Sequence, residues 1–357
     1  MSRVWDIPLQ DSTRVRDARV AAEAACAAGG MDAHSTAVAA LVATELATNL
    51  VKHADSGRII INLTGPSDTL AEAAPQVQII SLDHGPGIDD VQAALRDGCT
   101  TSTDSLGAGL GTCQRISSDF DLHSRPGRGT VAMARIGPSV PSAGRRSRAV
   151  RSATGARAGG VNTSLAHAEH SGDSFAWVRS GPLLTLMLAD GLGHGEAAAQ
   201  ASTAAVHALR GTADRPPAEI LSHLHAALHD TRGAAVGVAQ LDEDRARLSF
   251  AGIGDTGARL RTGGTWHALT SHPGIVGAHF PARVPLHEQA WQADSLLVLH
   301  SDGLPSRWEP PQDPTLQAHD PALVAAVVLR DAGSAARPVR DDTSVAVLVP
   351  GPGDGHP

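Results

Sequence analysis

Between residues 32 and 54 apolar side chains recur at helical spacing. Val38, Leu41, Val42, Leu46 and Leu50 form one stripe, which predicts an amphipathic helix. A second helix is predicted over 12–29. The stretches 58–63, 77–83 and 130–136 read as strands, the first two through their β-branched residues. Glycine-rich loops lie between the last two strands, and a helix carrying Cys113, Ile116 and Phe120 is expected after them. Together these elements predict a small α/β sandwich over residues 1–137.

Residues 138–160 are rich in proline, glycine, serine and arginine and have no apolar periodicity. Such a segment cannot build a core, so it reads as a linker. Beyond it, strand-like apolar runs recur at 183–189, 234–241, 247–252, 295–300 and 344–349. Alanine-rich helices are expected between them at 197–210, 218–230 and 321–331. A second α/β domain is therefore expected over 161–350.

Composition narrows the class. The 357 residues suffice for two cores, and a formal net charge of −8 argues against a general nucleic-acid binder. Cys26, Cys99 and Cys113 lack zinc-site spacing, as expected of a reduced cytosolic protein. No apolar run approaches the roughly 20 residues of a membrane span, and residues 1–6 lack a signal-peptide core. A soluble cytoplasmic protein is expected.

Glu45 and Asn49 are four apart on the predicted helix, with Lys52 one turn further on. A carboxylate, an amide and a cation on one face suit phosphoryl transfer: the amide can ligate a Mg²⁺ that bridges phosphates, and the carboxylate can orient a hydroxyl. Asp83-His84-Gly85-Pro86-Gly87 follows a strand. Leu106-Gly107-Ala108-Gly109-Leu110-Gly111 precedes a helix, where freed backbone N–H groups bind phosphate oxygens.

In this order the three boxes resemble the GHKL ATPase superfamily, and most closely the RsbT-like anti-sigma-factor serine kinases. The resemblance implies a Bergerat-type α/β sandwich that binds ATP and Mg²⁺. It makes Glu45 the general base, Asn49 the metal ligand and Asp83 the reader of adenine. Gly85, Gly87, Gly107, Gly109 and Gly111 would shape the phosphate loop and lid. Thr130, opening the closing strand, and Lys52 complete the nucleotide set, and 98–105 would be the lid. Kinases of this type often dimerise, so a homodimer is compatible with the resemblance.

Asp190-Gly191 closes one apolar run, and Asp302-Gly303 and Asp341-Asp342 lie at the ends of others. Glycine lets a carboxylate and the next carbonyl face one cation, so repeated aspartates at strand ends make an oxygen-rich site for Mg²⁺ or Mn²⁺. With Ser171-Gly172-Asp173 upstream, the series resembles the PPM-type serine/threonine phosphatases, in their SpoIIE/RsbX-like branch. That implies an α-β-β-α sandwich holding two Mn²⁺ or Mg²⁺ ions. Asp190 would bridge the ions with the Gly191 carbonyl, Asp173 would serve one metal, and Asp302 and Asp341 the other. Asp342 would stand behind the ligands. His194 reads either as a proton donor or as a loop residue. His223, His225 and His229 share no helical face and read as a solvated surface.

The two resemblances together imply a bifunctional regulator in a partner-switching or stressosome pathway. One half would phosphorylate, and the other dephosphorylate, STAS-domain proteins. Two alternatives remain at this stage: a phosphatase whose ATP-binding half only regulates or docks, and a non-enzymatic module that sequesters a sigma factor or STAS protein.

Overall fold

The computed structural model describes residues 3–54, 56–65, 75–96, 109–138, 155–165, 168–333 and 341–351. It divides into two compact units. No described helix is long and apolar enough to cross a membrane.

The first unit runs β1 (Val4–Leu9), α1 (Arg14–Ala28), α2 (Ala33–His53), β2 (Gly57–Thr64), β3 (Gln76–Asp83), α3 (Val91–Leu95), α4 (Gly109–Ile116), β4 (Asp119–Arg125) and β5 (Gly129–Ile136). Its strands form one antiparallel sheet in the order β1-β2-β3-β5-β4. Asp32 caps α2 by accepting the Ser35 N–H at 2.8 Å. α1 and α2 then cover one sheet face, and the contact between them is built from alanine. Ala18, Ala22 and Ala25 of α1 and Ala39, Ala43 and Ala47 of α2 are fully buried. The apolar stripe expected on α2 is corrected at one position. Leu41 is exposed, because the buried face is the alanine track together with Val42, Leu46 and Leu50. Phe120 lies on β4, since α4 ends at Ile116.

The second unit runs β6 (Arg157–Thr163), β7 (Asp173–Ser180), β8 (Leu183–Gly191), α5 (Glu196–Leu209), α6 (Pro217–Ala227), β9 (Ala234–Asp242), β10 (Arg247–Ile253), β11 (Gly257–Thr262), β12 (Thr265–Thr270), β13 (His287–Ala290), β14 (Leu296–His300), α7 (Pro321–Ala332) and β15 (Thr343–Val349). Two sheets result, ordered β13-β10-β9-β8-β7 and β12-β11-β14-β15-β6. β8 illustrates why they stack. Leu184, Leu186 and Leu188 join Leu297, Leu299 and Leu348 in the core between the sheets. The alternate residues Met187 and Ala189 pack with α5 and α6 through Leu209, Leu221 and Leu224. This is the α-β-β-α sandwich expected from the sequence.

The segment read as linker needs a correction at its end. β6 begins at Arg157, inside the 138–160 stretch, and pairs with β15 along its whole length. Its glycines are packing devices. A Cβ on Gly159 would stand 3.0 Å from the Ala322 backbone nitrogen in α7. One on Gly160 would stand 3.0 Å from the Phe175 ring. Residues 139–154 lie outside the described set.

Candidate active sites

In the first unit Asp83 ends β3 and is nearly buried. Its Oδ1 accepts the Gly85 N–H at 2.8 Å and the Thr130 N–H at 3.2 Å. The loop after it is stapled to the β4–β5 turn: Gly127 N–H donates to the Pro86 carbonyl at 2.7 Å, and Ile88 N–H to Ser124 Oγ at 2.8 Å. Gly87 (φ +76°) and Gly129 (φ +81°) permit that approach. A Cβ on either would collide with a backbone carbonyl, that of Arg125 or of Asp83. Gly85 and Gly87 therefore shape the loop around Asp83.

Glu45 and Asn49 share one side of α2, facing the first turn of α4. A Cβ on Gly109 would lie 2.8 Å from Glu45 Oε2 and 3.6 Å from Asn49 Nδ2. Gly111 is buried in the same turn. Cys113 follows, its thiol pushed up to about 12 by burial and then by the Glu45 charge. Asn49 Nδ2 is buried without a hydrogen-bond partner, and Glu45 has none among the described residues. Lys52 is exposed in the last turn of α2. Gly107 and the expected lid at 98–105 lie outside the described residues.

In the second unit one end of the sandwich gathers five aspartates: Asp173 opening β7, Asp190 in β8, Asp302 after β14, and Asp341 and Asp342 before β15. Asp173 and Asp190 are register partners on antiparallel strands. Their side chains interact directly, as do those of Asp190 and Asp302. Ser301 Oγ accepts the Ser344 N–H at 3.0 Å, which ties the end of β14 to β15 beside the cluster.

Electrostatically the cluster is unbalanced. Burial, then Asp302 and Asp341, push the Asp190 carboxyl up to about 7. Burial and then Asp190 hold Asp173 well above the usual carboxylate range. Burial, then Asp341 and Asp255, raise Asp302. Asp342 has a different task. Its Oδ1 accepts the Leu165 N–H and its Oδ2 the Gly172 N–H, both at 2.7 Å. Asp341 is exposed, and its Oδ1 accepts the Asp342 N–H at 2.9 Å.

Glycine also sets the loop after β8. A Cβ on Gly191 would collide with the Ala198 carbonyl in α5, so only glycine lets the helix close over the Asp190 turn. His194 is exposed in that loop. Of the three histidines read as solvated, His223 and His229 are exposed. His225 is not: its Nδ1 accepts the Gly277 N–H at 2.9 Å and its ring packs on Phe280.

Two family profiles match the chain. Residues 9–135 match the histidine kinase-like ATPase domain, and residues 181–349 match SpoIIE, "Stage II sporulation protein E". The chain thus joins an N-terminal unit similar to that ATPase domain to a C-terminal unit similar to SpoIIE. The ATPase half is 36% identical over 91 residues to the serine/threonine-protein kinase RsbT of Bacillus subtilis, a match spanning 26% of this chain and 64% of that relative. Among solved structures, RsbX in complex with magnesium is 18% identical with a TM-score of 0.46, covering 54% of this chain and 94% of that one. The phosphatase domain of Bacillus subtilis SpoIIE with a regulatory fragment is 14% identical with a TM-score of 0.47, covering 79% and 80%.

The donor sets fit the groups these families imply. In the SpoIIE domain, Asp173 Oδ2 is buried without a partner, as suits an oxygen waiting for a cation. Among the described residues no three acidic, histidine or cysteine side chains are drawn together around one point. Mg²⁺ asks for less, since it commonly takes one or two carboxylates and completes its shell with water. In the first unit the orphaned Asn49 Nδ2 is a donor suited to a phosphate oxygen, and the Glu45 carboxylate lies on the same side of α2.

Proposed function

We propose that the chain is a bifunctional cytoplasmic regulator of a bacterial partner-switching pathway. Its ATPase domain acts as a serine kinase, and its SpoIIE domain as a metal-dependent phosphoserine phosphatase, on STAS-domain partners. The observation that carries the phosphatase reading is the pairing of Asp173 with Asp190 on adjacent strands, at the end of the sandwich where Asp302 and Asp341 also stand. The kinase reading is supported by Glu45 and Asn49 facing the glycines that open α4, and by the likeness to RsbT.

In the kinase half Asn49 would hold Mg²⁺ on the ATP phosphates and Asp83 the adenine. Glu45 would take the proton of the partner's serine as its oxygen attacks the γ-phosphorus and the bond to the β–γ bridging oxygen breaks, releasing ADP. Thr130, through its N–H bond to Asp83, would keep that carboxylate aimed at the base. In the phosphatase half the bound Mn²⁺ or Mg²⁺ ions supply a water of lowered pKa and offset phosphoryl charge. Asp190, the Gly191 carbonyl, Asp173, Asp302 and Asp341 are the groups that would hold them. Asp342 would hold the loops of Leu165 and Gly172 in place behind them.

The test uses one STAS protein in two forms. Phosphate release from its phosphoserine form with Mn²⁺ is compared for wild type and Asp190→Asn, and transfer from ATP to its unphosphorylated form for wild type and Glu45→Ala. Each substitution is expected to abolish its own reaction alone. Release without any transfer would reduce the ATPase domain to a nucleotide-gated regulator. Partner capture surviving both substitutions, with no turnover in wild type, would favour sequestration.

A further inference from the structure

We infer that Arg232 is a substrate-binding residue of the SpoIIE domain, gripping the phosphoryl group at the mouth of the aspartate cluster; this rests on the phosphatase reading. The backbone places it there. β8 and β9 are register neighbours at this end of the sheet, with Gly191 opposite Ala234. Leu192 N–H then donates to the Gly233 carbonyl at 3.0 Å, tying the loop after Asp190 to the loop that carries Arg232. The guanidinium lies across that junction, with Nη1 3.2 Å from where a side chain would start on Gly193. Gly193 is held at φ +85°, so glycine both makes the turn and leaves room for the arginine.

The surrounding charge explains what the arginine is for. Asp173, Asp190, Asp302, Asp341 and Asp342 all interact electrostatically at this end of the sandwich. Yet Arg232 is exposed and pairs with none of them, nor with any other described carboxylate. A planar guanidinium that is not consumed by a carboxylate, beside a cation-binding cluster, offers two parallel N–H donors to a phosphate dianion. Arg232 would add these donors to the charge that metals held by the carboxylates would supply. Phosphoester hydrolysis forms a bond from phosphorus to the water oxygen and breaks the bond to the serine oxygen, which leaves with a proton. Arg232 keeps its own proton throughout.

The experiment uses the full chain with Mn²⁺ and two probes, inorganic phosphate and p-nitrophenyl phosphate. Arg232→Ala is expected to weaken phosphate binding, followed by calorimetry, and to raise KM by about tenfold each. Mn²⁺ affinity should stay within about twofold, as for a surface substitution. Arg232→Lys should recover part of the loss, since it keeps the charge without the fork. Unchanged phosphate affinity and KM in Arg232→Ala overturns the assignment, and so does a parallel fall in Mn²⁺ affinity. A wild-type protein that binds Mn²⁺ but neither binds phosphate nor hydrolyses the ester refutes the phosphatase reading, and Arg232's role with it.

Discussion

Asp173 and Asp190 face each other as register partners on neighbouring antiparallel strands, and the Asp190 carboxyl raises the cost of ionising Asp173. Two acids so placed cannot both ionise cheaply without a cation between them. The arrangement therefore costs stability for as long as no cation lies between them.

The sign follows from linkage. Burial and the neighbouring aspartates raise Asp190 from 3.8 to about 7 in the folded chain, so between those values the native state binds more protons than the unfolded state. Stability of the metal-free protein then falls as pH rises from about 4 to about 7 and levels off above. The full span is on the order of 4 kcal/mol for Asp190 alone. Thermal unfolding in chelator across that range should show a falling Tm for the SpoIIE domain, and Mn²⁺ should reverse it at pH 8. A Tm that rises with pH would contradict this electrostatic picture.

Asp190→Asn should separate activity from stability. Mn²⁺-dependent phosphate release should fall at least about 100-fold. Meanwhile the metal-free variant should melt higher than wild type at pH 8, by roughly 5–10 °C. Calorimetry of both proteins in chelator checks the second part.

Asp341 and Asp342 are adjacent but should fail in different ways. Asp342→Ala orphans the N–H groups of Leu165 and Gly172 and should cost about 3 kcal/mol in denaturant unfolding. Asp341→Ala, at an exposed position, should leave stability within about 0.5 kcal/mol and weaken Mn²⁺ binding. Equal destabilisation by both would remove the division of labour.

Much of this was legible in the sequence, for identifiable reasons. Continuous apolar runs such as β8 and β9 are buried on both faces and announce themselves. Edge strands do not. β1 and β7 end their sheets and mix polar with apolar residues, so neither stood out, although Asp173 at the start of β7 was recognised from its motif. β6 was hidden by Gly159 and Gly160, which resemble linker residues until α7 and Phe175 are seen to need the space. Leu41 was misplaced because alanine, not leucine, forms the α1–α2 contact. Arg232 was not singled out as a side chain, because its place beside Gly193 depends on a loop contact that only folding creates.

In the ATPase domain, glycine substitutions distinguish strain from collision. Gly127 and Gly129 both have positive φ, but a Cβ on Gly127 meets nothing while one on Gly129 strikes the Asp83 carbonyl. Gly127→Ala should cost about 1 kcal/mol. Gly129→Ala should cost several-fold more and abolish ATP binding by displacing Asp83. Nucleotide titration by fluorescence, with denaturant melts of both variants, reads the contrast.

Central to the account is that the aspartate cluster is a two-metal centre. Mn²⁺ titration of the nucleotide-free chain by isothermal calorimetry tests it most directly, with Asp190→Asn alongside. Two ions per chain in wild type, with binding to this cluster largely lost in Asp190→Asn, is the predicted result. No Mn²⁺ uptake by wild type, or uptake that Asp190→Asn leaves untouched, would contradict it.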